Sequence, residues 1–135
     1  MTHYFAVVHK DEGSAYGVSF PDLEGCFSAA DDTQDIIPNA MEALEFYADE
    51  FDTLPAPSSL ETIRAMPEVA EELKAGAYLV SIPLLKNSGK SARINITLDK
   101  GLLEAIDDAA AQRKMTRSGF LAQAAVKEIG GGVNG

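Results

Sequence analysis

The sequence has a single cysteine, Cys26, and no tryptophan. One thiol excludes an intramolecular disulfide and fits a reducing cytosol; Cys26 itself reads as a small buried apolar residue. The absent tryptophan decides nothing. No charged-then-apolar leader opens the chain, and no apolar run reaches the length of a membrane span. The expectation is therefore a cytoplasmic protein with no membrane partner. Glycine-rich phosphate loops, Cys–His pairs and nucleophile motifs are missing as well. His3 and His9 share one face of a strand, but two histidines without further ligands make a poor metal site, so no metal or cofactor is expected. Basic residues are few, 11 Lys and Arg against 21 Asp and Glu, for a net charge of −10. That balance argues against general affinity for nucleic acid.

The charge is unevenly spread. Up to Ser88 there are 4 basic and 16 acidic residues, a balance of −12; from Gly89 onward there are 7 and 5, a balance of +2. An acidic body with a mildly basic tail is the split expected when only the tail meets nucleic acid. The alternative is an ordinary acidic surface. With 135 residues, 46% of them hydrophobic, the chain can hold one domain of usual size or two small ones.

The first part reads as a small sheet. Tyr4 to Val8 is a strand with apolar residues on both faces, so both faces can be covered. A turn at Lys10–Ser14 leads to a second strand, Ala15 to Phe20, and the two are expected to form a hairpin. Pro21-Asp22-Leu23-Glu24-Gly25 is a turn, and Cys26 to Ala30 a third strand. Asp31-Asp32-Thr33 offers a cap for a helix reaching about Phe51. Its apolar positions Ile37, Ala40, Met41, Leu44, Tyr47 and Ala48 keep the spacing of one buried face, and Pro38 is tolerated only near its start. Glu42, Glu45, Asp49 and Glu50 lie on the exposed face. Short helices are expected over Leu60–Ala65 and Pro67–Lys74, then a last strand over Ala77–Ile82. The order predicts three strands, a helix and a strand, with a helix on one face of the sheet. Residues 86–91 are short and polar and read as a linker.

The second part begins with Ala92-Arg93-Ile94-Asn95-Ile96-Thr97-Leu98, a strictly alternating strand with no second strand inside its own unit. A lone strand is not stable. The same strand from another copy of the chain is the simplest partner, and the result is a two-stranded ribbon with Arg93, Asn95 and Thr97 on one face. Ribbons of that width fit the major groove, and these side chains can read base edges there. Ile94, Ile96 and Leu98 point the other way. Asp99-Lys100-Gly101 opens a helix to about Arg113 whose apolar face includes Leu103 and Ile106. Thr116 caps a second helix, with Arg117 and Ser118 in its first turn and Phe120, Leu121, Ala124, Ala125 and Ile129 on its buried face. The glycines from Gly130 end it, and residues 131–135 are expected to be a flexible tail.

Tyr16-Gly17-Val18-Ser19-Phe20-Pro21-Asp22-Leu23-Glu24-Gly25-Cys26 resembles the signature of HicB-type antitoxins, although that family usually has Pro where this chain has Glu24. Thr97-Leu98-Asp99, the paired Leu102-Leu103 and the run Thr116-Arg117-Ser118-Gly119-Phe120-Leu121 resemble the ribbon-helix-helix repressors; Gly119 departs from the Glu or Gln of a capping box. The resemblance implies an α+β chain: a partial ribonuclease-H-like β-β-β-α-β domain over residues 1–85, then a ribbon-helix-helix (β-α-α) dimerisation and DNA-binding domain over 92–130. It implies an antitoxin that neutralises a HicA-type toxin, a small basic ribonuclease, and represses its own operon.

Within that frame Arg93, Asn95 and Thr97 would contact bases, and Thr116, Arg117 and Ser118 would hold a phosphate at a helix N-terminus. Ile94, Ile96, Leu98, Leu103, Ile106, Phe120 and Leu121 would form the dimer core. Asp22 and Glu24 are candidates for toxin contact. The partners are operator DNA, the toxin and a second copy, or a tetramer if the N-terminal units also pair. No catalysis is expected: the first strand, His3 to His9, holds no Asp or Glu where metal-dependent nucleases of that fold keep a key carboxylate. The rival reading is a ribbon-helix-helix regulator that senses a ligand or another protein and has no toxin.

Overall fold

The computed structural model describes residues 1–86 and 91–131. The chain divides into two compact units, Met1–Lys86 and Asn87–Gly135. Most of the expected linker, residues 87–90, and most of the expected tail, residues 132–135, lie outside the described residues.

The first unit is built on four antiparallel strands in the order β3-β2-β1-β4: β1 (His3–Lys10), β2 (Tyr16–Ser19), β3 (Phe27–Ala30) and β4 (Tyr78–Pro83). Alternation along β1 sends Tyr4, Ala6 and Val8 to one face and Phe5 and Val7 to the other. The first face meets helix α1 (Ile36–Asp49) through Ile36, Ala40, Met41 and Leu44, together with Val18, Phe20, Leu23 and Ile82. The second face meets α2 (Leu60–Ala65) and α3 (Pro67–Lys74) through Ile63 and Val69, with Met66 and Leu73 beside them. The order of elements placed a helix on one face only, whereas the sheet is covered on both sides, as the apolar residues on both faces of β1 allow. Phe5 and Val7 are the reason, since leaving them in water forfeits about 1.5–3 kcal/mol each.

Local chemistry sets the element ends. The side-chain oxygen of Ser59 accepts from the Thr62 N–H at 3.2 Å and starts α2. Pro67 holds Met66 extended, so one helix ends there and the next begins. Gly76, at φ +105°, closes α3: its N–H reaches the Leu73 carbonyl at 3.2 Å and the Ala77 N–H reaches that of Glu72 at 3.0 Å. The expected cap at Asp31–Thr33 takes another form. A 3-10 turn at Thr33–Asp35 leads into α1, and neither Asp32 nor Asp35 makes a side-chain cap bond. Pro38 sits in the first turn of α1, where its missing N–H costs no bond.

The second unit consists of residues 91–99, which form neither helix nor strand, then α4 (Lys100–Gln112) and α5 (Arg117–Gly131). The strand expected over Ala92–Leu98 is not formed in the single chain, where it has no partner to pair with among the described residues. Asp99 caps α4, its Oδ2 accepting from the N–H groups of Gly101 at 2.9 Å and Leu102 at 3.3 Å. The turn after α4 repeats the bond pattern that ends α3, with Met115 N–H on the Ala110 carbonyl at 2.8 Å and Lys114 N–H on that of Ala111 at 3.1 Å. Here the left-handed residue is Lys114, at φ +57°.

Candidate functional site

In the N-terminal unit the run from Phe20 to Cys26 is a folded device with one free position. Phe20, Leu23 and Cys26 are buried. Asp22 accepts from the Ser58 N–H at 2.8 Å and the Ser58 hydroxyl at 2.6 Å, so both carboxylate oxygens are engaged. Gly25 adopts φ +83°, which side chains resist. Glu24 alone turns its side chain to solvent, while its carbonyl accepts from the Tyr47 hydroxyl at 2.9 Å. Of the two candidate toxin contacts, Asp22 is therefore occupied within the fold and Glu24 is free. Asp22 anchors the loop that carries the chain from α1 to α2. Tyr4 assists by donating to the Pro55 carbonyl at 2.6 Å. Burial raises the Tyr4 phenol, and the nearby Asp22 charge adds to the effect, so Tyr4 stays a donor. Burial likewise pushes the Cys26 thiol up to about 11, which leaves it protonated and unreactive at neutral pH.

Beside this run, α1 and the edge strand β3 border an open groove of about 560 Å³. Glu42 and Glu50 stand at it, and Phe46 is 70% exposed. Sequence reasoning placed Glu42 and Glu50 on the outer face of α1 but gave Phe46 no role. Its signal was an aromatic residue out of phase with Ile37, Met41 and Leu44. Among the described residues no group of three or more His, Cys, Asp or Glu is placed to hold a metal ion, and no helix is long and apolar enough to cross a membrane.

In the C-terminal unit Arg93, Asn95 and Thr97 are all exposed. So are the apolar residues between them: Ile94 is 75% and Ile96 57% exposed, and Leu98 is half-buried. Leu103, Phe120 and Leu121 are half-buried, and only Ile106 among the expected core residues is buried. Ala124, Ala125 and Ile129, expected on the covered face of α5, lie exposed in the single chain. The start of α5 is formed by Thr116, whose hydroxyl accepts from the Gly119 N–H at 3.0 Å. Arg117 is drawn into a two-pronged ion pair with Asp107 of α4, and Ser118 is exposed. The Arg113 guanidinium lies 5.3 Å from the Phe120 ring centre, which adds a second clasp between the helices.

A four-stranded antiparallel sheet covered on both faces, joined in sequence to a segment without helix or strand and then to two helices, defines an α+β protein by its fold. The profile of the family described as HicB-like antitoxin of bacterial toxin–antitoxin systems matches residues 4–125, and the chain belongs to that family. A 14.9 kDa protein of the rep-hol intergenic region of Haemophilus phage HP1 is 33% identical over 84% of this chain and 88% of its own. The crystal structure of the Burkholderia pseudomallei antitoxin HicB is similar over 94% of this chain and 98% of that one, with 34% identity and a TM-score of 0.56. The HicA3–HicB3 toxin–antitoxin complex contains a chain that matches 62% of this one and 98% of its own, at 25% identity and a TM-score of 0.50.

Proposed function

We propose that this chain is the antitoxin of a toxin–antitoxin pair, that it binds and neutralises a HicA-type ribonuclease toxin, and that it represses its own operon by binding operator DNA. Membership of the antitoxin family carries the first part, supported by the likeness to a chain solved in a HicA3–HicB3 complex. The toxin-binding domain is residues 1–85, its mode is steric cover of the toxin's RNA surface, and it is not catalytic. The DNA-binding domain is residues 92–130, working in the cytoplasm as a homodimer. Glu24 and the acidic face of α1 are the proposed toxin-facing groups.

The repressor part rests on the exposure of Ile94 and Ile96. Two exposed isoleucines, alternating with Arg93, Asn95 and Thr97 on a segment without a ladder, form half of a sheet and half of a core. A second copy supplies the other half by antiparallel pairing of the two segments. The apolar side then roofs α4 and α5, and the polar side is left for the major groove. The start of α5 would hold a phosphate beside it. Two measurements test the reading together: co-purification of the chain with the small protein encoded beside its gene, and a gel-shift titration on its own promoter. Absence of the first removes the antitoxin, and absence of the second removes the repressor.

A further inference from the structure

We propose that the groove between α1 and the free edge of β3 is the seat of a cationic protein surface; this rests on the antitoxin reading, under which that surface belongs to the toxin. The first observation is Phe46. At about 100° per residue it lies roughly 200° around the helix from Leu44, the fully buried centre of the α1 core face. A phenylalanine 70% exposed on the side of a helix away from its core leaves most of its ring in water and carries the apolar area of an interface anchor.

The second observation is the strand edge. Among the described residues β3 pairs only with β2. The Cys26 carbonyl accepts from the Phe20 N–H at 3.3 Å, so the antiparallel alternation turns the backbone of Phe27 and Ala29 outward. Asn39 of α1 donates to the Ala29 carbonyl at 2.9 Å. Among the described residues nothing pairs with the outward N–H and C=O of Phe27, whose own side chain is 68% exposed. The groove thus offers a donor, an acceptor and an aromatic anchor side by side.

The third observation decides the occupant. From Asp11 to Ile63 the sequence contains no lysine, arginine or histidine. β2, β3 and α1 all fall inside that stretch, so none of them supplies a cation to the carboxylates of Glu42 and Glu50 beside the groove. A second copy docking here by two-fold symmetry would set one carboxylate-bearing groove against another. A partner whose apolar side chain is flanked by lysine or arginine meets the same surface with both terms favourable.

The test uses the full chain and the small protein encoded beside its gene, with affinity and association rate measured at two salt concentrations. Phe46→Ser is expected to weaken the complex at least tenfold, and Glu42→Lys/Glu50→Lys to slow association and flatten its salt dependence. Thermal unfolding and the sedimentation behaviour of the chain alone should match wild type, since these side chains lie outside the core. Wild-type affinity in both variants overturns the proposal. So does a change in the oligomeric state of the variants alone, which would make the groove a contact between copies. Failure of the wild-type chain to bind the neighbouring protein at all overturns this proposal and the antitoxin reading together.

Discussion

Arg117 and Asp107 face each other as a fork on a fork. The guanidinium Nε donates to Oδ1 at 2.8 Å and Nη2 to Oδ2 at 2.9 Å, which fastens the first residue of α5 to the middle of α4. The hydrogen bond and the charge of Arg117 hold the Asp107 carboxyl below the usual carboxylate range. A carboxyl whose folded value is depressed stabilises the fold above its unfolded value, near pH 3.9, and that contribution disappears as pH falls through the folded value. Asp107→Asn imitates the protonated group. Its melting temperature should therefore lie below that of wild type through neutral pH, with the gap closing only below about pH 3.9. A gap that closes near pH 6 would implicate a different group.

The same pair bears on the proposed DNA binding. Under the repressor reading Arg117 has two claimants, Asp107 and a backbone phosphate. Asp107→Asn frees the guanidinium and removes a negative charge from the phosphate site. Operator affinity should rise about threefold in low salt and less in high salt, because screening weakens the repulsion that was removed. Arg117→Ala should lower affinity across all sequences and reduce the salt slope by about one. A titration series in which Asp107→Asn binds more weakly than wild type would assign the pair to holding the helices alone.

Lys114 stands at the position that glycine occupies after α3. Both turns close with the same two backbone bonds, yet Lys114 must hold φ +57° where Gly76 holds φ +105°. A side chain in that region costs about 1–2 kcal/mol, partly returned by the lower entropy of a non-glycine unfolded chain. Lys114→Gly should raise stability by about 0.5–1 kcal/mol in chemical denaturation. A loss of stability would show that the lysine side chain makes a compensating contact.

Asp22 separates a structural role from a binding role. With both oxygens on Ser58 it ties the loop before α2 to the turn before β3. Asp22→Ala should cost about 1–3 kcal/mol, as expected for a half-buried charged acceptor that leaves two donors unpaired. Ser58→Ala removes only the hydroxyl bond and should cost less. Glu24→Ala should leave stability unchanged and slow toxin association. If Asp22→Ala instead left unfolding unchanged and abolished the complex, Asp22 would be a contact residue after all.

The N-terminal unit was legible where local chemistry speaks. The turn from Pro21 to Gly25, the Ser59 and Pro67 helix starts and the alternation of β1 each leave a residue-type signature, and the α+β class follows from their order. The second layer was half visible: Phe5 and Val7 announced a covered face, but α2 and α3 are too short for periodicity to say where they pack. The entry to α1 was misread because two aspartates and a threonine look like a cap, whereas the chain makes a 3-10 turn and forgoes the side-chain bond. The pairing of Arg117 with Asp107, ten residues apart on different helices, has no sequence signal, and neither does the turning of Asp22 toward Ser58. The face of α5 containing Ala124, Ala125 and Ile129 is apolar by spacing yet exposed in one chain, since spacing reports that a face needs cover and not which molecule supplies it.

The segment before α4 provides the sharpest division of labour, because the proposed function assigns its alternate residues to different partners. Under the repressor reading, Ile96→Asp places a charge where the proposed ribbon would meet the helices of both copies. A buried unpaired carboxylate costs several kcal/mol, so the dimer should dissociate to monomer in sedimentation and operator binding should vanish with it. Arg93→Ala, three residues earlier on the opposite face, should leave the dimer intact and weaken specific binding by about 1–3 kcal/mol. Asn95→Ala and Thr97→Ala should relax the choice of sequence more than they change the salt dependence. The pattern matters more than any one value. If Arg93→Ala dissociated the dimer, or Ile96→Asp spared it, the two faces would be exchanged or absent. A segment that pairs with its copy cannot send neighbouring side chains to the same side.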